Sequence, residues 1–190
     1  MSFANSSLEQ LIAALKASAT DGPTSEKRLP PVELWNPTHC GDAGLEILRD
    51  GTWLHEGTRM TRESLVRLFA SILRKDADGE TYLVTPVEKI RVRVEDAPFL
   101  AVRVDRWGQG REQSLVYTTN VGDVAVAGAQ NPIRVSYTND EPRPYVLVRG
   151  RLEARILRAP FYEMVDWSER RSGALGVWSG GVWFELGSGP

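Results

Sequence analysis

The stretch Lys89–Glu95 constrains the fold more than any other segment. Ile90, Val92 and Val94 alternate without a break with Lys89, Arg91, Arg93 and Glu95. Only an extended chain puts residues i and i+2 on one face, so this is a strand with one apolar and one charged side. The pattern recurs. Residues 87–99 align without gaps to residues 149–161, an offset of 62 residues with four identities. Arg93 falls on Arg155, and Ala97-Pro98-Phe99 falls on Ala159-Pro160-Phe161. Ile90, Val92 and Val94 fall on Leu152, Ala154 and Ile156, and Lys89 falls on Arg151. Inward and outward positions therefore coincide, which a one-residue slip would reverse. Tyr82 and Tyr145 also correspond if one residue is inserted. The expectation is an internal duplication.

Other segments fit an α+β chain of two related halves, mainly antiparallel strands with a helix each. Ser6 and Glu9 have capping-box spacing, and Leu8, Leu11, Ile12 and Leu15 follow on one helical face. Residues 19–32 have linker composition. Leu45 to His55 reads as a hairpin turning at Asp50-Gly51. Leu65, Leu68, Phe69, Ile72 and Leu73 form a helical stripe, with Thr61 as its cap and Asp78-Gly79 as its end. Tyr82–Thr85, Phe99–Val104, Ser114–Thr118, Ile133–Tyr137, Tyr145–Arg149 and Arg151–Leu157 read as strands. Asn120–Ala129 reads as a short helix or a weak strand. Pro160 opens a short helix through Val165. Leu175–Leu186 reads as a hairpin turning at Ser179-Gly180-Gly181. The expected organisation is an N-terminal helix and linker over 1–30, a first repeat over 31–104, and a second repeat with its hairpin over 105–190.

Composition excludes several functions. The 190 residues carry 23 basic and 25 acidic side chains, a net charge of −2, against a general nucleic-acid binder. One Cys and two His allow no disulfide within the chain and no Cys₂His₂, Cys₄ or His₃ metal site. A single Cys fits a reducing cytoplasm. Met1–Ala19 lacks a basic n-region, and no apolar run reaches membrane-span length.

Few side chains suggest catalysis. His39, Cys40, Asp42 and His55 match no metal-ligand spacing. Cys40 beside His39 is a weak nucleophile–base pair, because sequence neighbours rarely present side chains to each other in that geometry. Ser179 lacks the Gly-x-Ser-x-Gly elbow of a hydrolase. The glycines of 108–110 and 176–181 lack the ending of a P-loop and suit turns. Of the basic residues, 19 are Arg. Arg143, Arg149, Arg151, Arg155 and Arg158 cluster around one acid, Glu153. They could grip a phosphate or carboxylate, or form a solvated face of ion pairs. Trp35, Trp178 and Trp183 lie in loop-like settings where an indole could stack a flat ligand, or pack a hairpin.

Several separated motifs resemble one family. They are Trp35-Asn-Pro-Thr-His-Cys-Gly-Asp42, Arg49-Asp-Gly-Thr-Trp53, Tyr82-Leu-Val-Thr-Pro-Val-Glu-Lys89, Glu95-Asp-Ala-Pro-Phe99, Tyr145 with Val148-Arg-Gly-Arg-Leu-Glu-Ala154, and Gly176-Val-Trp-Ser-Gly-Gly181. In this order they resemble the bacterial domain of unknown function 1285, from about Pro30 to Leu186. The resemblance implies two related α+β halves, the second like a pleckstrin-homology fold, with a binding cleft between them. It also implies a nucleotide-like ligand and a role in signal transduction, with no agreed catalytic residues. The motif positions that could line such a cleft are Trp35, Asn36, Cys40, Asp42, Glu88, Lys89, Arg149, Arg151, Glu153 and Trp178. The favoured expectation is a non-catalytic binding or sensor protein with no resident cofactor. The alternative is a protein-interaction module with an exposed patch around Trp178, Trp183 and Phe184. A small enzyme using Cys40 ranks third.

Overall fold

The computed structural model describes residues 29–139 and 141–188. The expected N-terminal helix from Ser6, and most of the linker after it, lie outside the described residues. The chain forms two compact units that divide between Glu95 and Asp96. The boundary expected after Val104 falls inside a strand of the second unit, Phe99–Trp107.

The first unit is one six-stranded sheet with a helix. Its strands are β1 (His39–Ile47), β2 (Trp53–His55), β3 (Thr58–Arg59), β4 (Leu73–Lys75), β5 (Thr81–Val84) and β6 (Glu88–Val94), in the order β3-β2-β1-β6-β5-β4. The alternation in β6 decides its sides: Ile90 and Val92 are buried, while Arg91 and Arg93 are exposed. Leu83 and Gly41 flank Ile90, and Leu45 flanks Val92, on the core side. Helix α1 (Glu63–Ser71) seats Phe69 against Trp53, with ring centroids 6.3 Å apart.

This helix is shorter than its apolar stripe suggests. Arg62, not Thr61, is its N-cap, and no side chain caps it. The Ser71 hydroxyl donates back to the Leu68 carbonyl at 2.6 Å, and the helix ends there. Ile72 and Leu73 are fully buried, but as the entry to β4, where the Ile72 carbonyl accepts from the Val84 amide at 3.0 Å. A run of apolar residues serves a buried strand as well as a helix face.

The second unit holds β7 (Phe99–Trp107), β8 (Ser114–Thr119), β9 (Val124–Val126), β10 (Ile133–Thr138), β11 (Glu141–Arg149) and β12 (Leu152–Ile156), in the order β10-β11-β12-β7-β8-β9. This sheet curls so that β9 comes against β11. Helix α2 (Arg158–Asp166) follows and packs on β7. Its Met164 is fully buried and accepts from the Tyr117 hydroxyl at 2.8 Å. A three-stranded sheet, β13 (Glu169–Arg171), β14 (Ala174–Ser179) and β15 (Val182–Ser188), completes the unit.

Replacing each strand of the first large sheet by the one six later reproduces the second. In both, the first and last strands pair parallel and every other pairing is antiparallel. The helices do not follow this rule. The first lies between β3 and β4, and the second follows β12. Asn120–Ala129 contains no helix; a turn at Thr119–Gly122 leads into β9. Tyr82 and Tyr145 do not correspond in register. Tyr82 pairs with Arg91, whereas Leu147 pairs with the equivalent Glu153, so Tyr145 sits two places off.

Candidate functional site

In the first unit, the polar side of the sheet carries a connected network. Arg74 extends across β4 with only 9% exposure. It donates to the carbonyls of Val32 and Trp35 at 2.7 and 2.6 Å, and to Asp76 at 2.6 Å. The other Asp76 oxygen accepts from Lys89 Nζ at 2.8 Å. Burial alone would raise the Asp76 carboxyl, but the hydrogen bonds from Arg74 and Lys89 outweigh it and hold the group below its usual range. The bond to Asp76 in turn raises Lys89. The Lys89 ammonium lies 4.2 Å from the Tyr82 ring centroid, and the Tyr82 hydroxyl donates to Asp78 at 2.9 Å. Burial, reinforced by that hydrogen bond, raises the Tyr82 phenol.

Several expected residues meet here. Cys40 is opposite Lys89 in the β1–β6 register, and His39 is opposite Glu88. Trp35 is tied in through its carbonyl, with its ring half-buried. Asn36 is exposed. Asp42 lies opposite Arg91, but Arg91 pairs with Glu80 at 2.8 Å. Asp42 instead accepts from the Gly44 amide at 2.8 Å. Lys89 is thus occupied by Asp76. Sequence spacing does not reveal Arg74, Asp76 and Tyr82 as one group, because strand pairing brings them together.

In the second unit, the arginine cluster is dispersed among partners. Arg149 pairs with Asp123 at 3.4 Å and lies over the Phe99 ring. Glu153 accepts both arms of Arg134, each at 2.6 Å. Arg155 approaches Asp96 at 3.7 Å, and Asp96 accepts from the Tyr145 hydroxyl at 2.7 Å. Arg151 lies in the turn before β12, exposed, so it does not share a strand face with Glu153 and Arg155.

Trp178 has different company. It is half-buried on β14, with its ring edge-on to Trp183 at 5.2 Å. The guanidinium groups of Arg111 and Arg171 lie over the same ring, 5.2 and 5.3 Å from its centroid. Both arginines are exposed, and neither forms an ion pair among the described residues. Arg106 similarly covers Trp167 at 5.0 Å. A guanidinium held over an aromatic face keeps its N–H edge available, and that edge binds phosphate or carboxylate in pairs. Two arginines on one indole therefore make an anion-receptive surface beside an edge-to-face pair of indoles. The sequence signal was an Arg-Arg pair one hairpin before Trp178. Arg111, 67 residues away, could not have been found without the fold.

Two other expectations resolve at these strands. Ser179 is fully buried, accepts from the Leu115 amide at 2.8 Å and donates to the Ala127 carbonyl at 2.7 Å. It fastens the hairpin to the curled sheet, with no free lone pair aimed at solvent for nucleophilic attack. Of the three aromatics expected in a patch, Phe184 is only 6% exposed, while Trp178 and Trp183 are half-buried. Among the described residues, no group of three or more His, Cys, Asp or Glu comes together as a metal site requires. No described helix is long and apolar enough to cross a membrane.

Fold and side chains thus define a strand-rich protein of two units, the second bearing an arginine-stacked tryptophan. The chain belongs to the domain of unknown function 1285 family. Residues 30–97 match the family's N-terminal domain and residues 98–186 its C-terminal domain. The crystal structure of a DUF1285 family protein from Silicibacter pomeroyi DSS-3 is 50% identical, with a TM-score of 0.82 over 92% of this chain and 94% of that one. A second, from Shewanella baltica OS155, is 34% identical, with a TM-score of 0.53 over 65% of this chain and 91% of that one. No curated protein matches the chain.

Proposed function

We propose that this is a non-catalytic binding or sensor protein for a nucleotide-like anion, received at the Trp178 cluster, with a role in bacterial signal transduction. The observation that carries this reading is the pair of guanidinium groups over Trp178, both without carboxylate partners among the described residues. Phosphate oxygens would take their N–H edges, and a flat base would pack against the indole pair. The matching strand orders support descent of both units from one duplicated element. The curled sheet followed by a helix supports a pleckstrin-homology-like reading of the second unit. The single Cys40, exposed and free, supports a reducing, cytoplasmic setting.

Thermal melting with a panel of nucleotides tests the proposal. A nucleotide at 100 times its dissociation constant should stabilise the protein by about 2.7 kcal/mol. Arg111→Ala and Arg171→Ala should each weaken binding at least tenfold. No shift from any nucleotide, or a shift that survives both substitutions, would remove the reading.

A second reading, a protein-interaction module, is favoured by one feature. Trp107, Val124 and Val126 share the outer face of the curled sheet and are 70%, 61% and 50% exposed. If that face is the functional one, Trp107→Ser abolishes partner capture and leaves nucleotide responses unchanged.

A further inference from the structure

The polar side of the first sheet holds a hollow of about 250 Å³ beside an irregularity in β1. Between Asp42, paired to Arg91, and Leu45, paired to Val92, β1 carries two extra residues. Such bulges turn a strand and re-aim its side chains. Gly44 makes the turn in the left-handed region, at φ +62°. Its carbonyl accepts from the Glu56 amide at 2.9 Å, which anchors the β2–β3 turn as the opposite wall. A side chain at position 44 would press on Glu56, with Cβ only 3.2 Å from its Cγ.

The charges around this hollow are not neutralised by one another. Asp42, Glu46 and Glu56 line it and form no ion pairs among the described residues. Arg93 also lines it, lies opposite Glu46 in the parallel register, and still makes no ion pair among the described residues. Arg91, the remaining cation, is drawn to Glu80. Three carboxylates and one uncommitted guanidinium thus surround an open polar space. An anion alone would meet the carboxylates, and a cation alone would meet Arg93. A ligand with both signs would answer both. The excess of carboxylates favours two positive groups against one negative.

We infer that this hollow binds a free basic amino acid, with its carboxylate on Arg93 and its ammonium groups among Asp42, Glu46 and Glu56. The volume lies just below the range of about 300–1,000 Å³ typical of drug-sized ligands, which suits a small metabolite. The inference is independent of the Trp178 cluster.

The test is calorimetry and thermal melting of the full chain with L-lysine, L-arginine, L-alanine, 1,5-diaminopentane and acetate, at matched ionic strength with sodium chloride as control. L-Lysine or L-arginine should bind, with alanine and the diamine at least tenfold weaker. Arg93→Ala and Glu46→Gln should each cost tenfold or more, while Arg171→Ala changes nothing. Arg93→Lys retains the charge and should recover part of the loss, which separates recognition from misfolding. No binding up to 10 mM, binding untouched by both Arg93→Ala and Glu46→Gln, or a response equalled by sodium chloride would overturn the inference.

Discussion

Lys89 Nζ donates to Asp76 at 2.8 Å, while Arg74 holds the other oxygen of the same carboxylate. A carboxyl depressed by folding stabilises the fold above its unfolded value, near 3.8, and loses that contribution as pH falls through its folded value. A raised Lys89 stabilises fully below its unfolded value, near 10.5, and loses its contribution as pH rises through the folded one. The pair is therefore fully stabilising between those limits. Asp76→Asn should cost about 3 kcal/mol at neutral pH, because Arg74 stays charged and nearly buried. Urea denaturation at a series of pH values should show the gap to wild type shrinking below about pH 4. A gap that stays constant into acid would show that Asp76 stabilises by shape rather than charge.

Ser179 satisfies one amide and one carbonyl in a buried setting. Ser179→Ala should cost about 2–3 kcal/mol by orphaning the Leu115 amide and the Ala127 carbonyl. Chemical denaturation measures this. A loss below 0.5 kcal/mol, roughly the floor for a net hydrogen bond, would mean that water replaces the hydroxyl.

Gly176 lies beneath the Trp183 ring. A methyl group there would collide with the ring and come within 2.7 Å of the Phe184 carbonyl. Gly176→Ala should destabilise by about 2 kcal/mol and change the near-ultraviolet dichroism of the tryptophans. An unchanged spectrum would show that the hairpin absorbs the methyl elsewhere.

Cys40 is exposed and free. In the native protein an aromatic disulfide reagent should release one equivalent of thiolate. Cys40→Ser should leave nucleotide-dependent melting unchanged, since the proposed site is built from Arg111, Arg171 and Trp178. Loss of the response in Cys40→Ser would revive the enzymatic reading.

The sequence showed most clearly what local period dictates. The β6 alternation, the Asp50-Gly51 hairpin and the C-terminal hairpin all emerge where they were expected, because side-chain faces and turn chemistry are short-range properties. Ile72 and Leu73 misled, since a buried strand and a helix face want the same residues. Arg149, Arg151 and Glu153 are near neighbours in sequence. Folding gives Arg149 to Asp123 and Glu153 to Arg134, neither foreseeable without strand register. Trp178 was visible as a tryptophan in a glycine-rich turn, but its arginines come from two other elements.

The central claim is the anion site on Trp178. A crystal of the protein soaked with the nucleotide that most raises its melting temperature tests it most directly. The expected result is phosphate density within hydrogen-bond reach of Arg111 or Arg171, with the base packed against the Trp178 indole. Density at another site, with the Trp178 cluster empty, would contradict it.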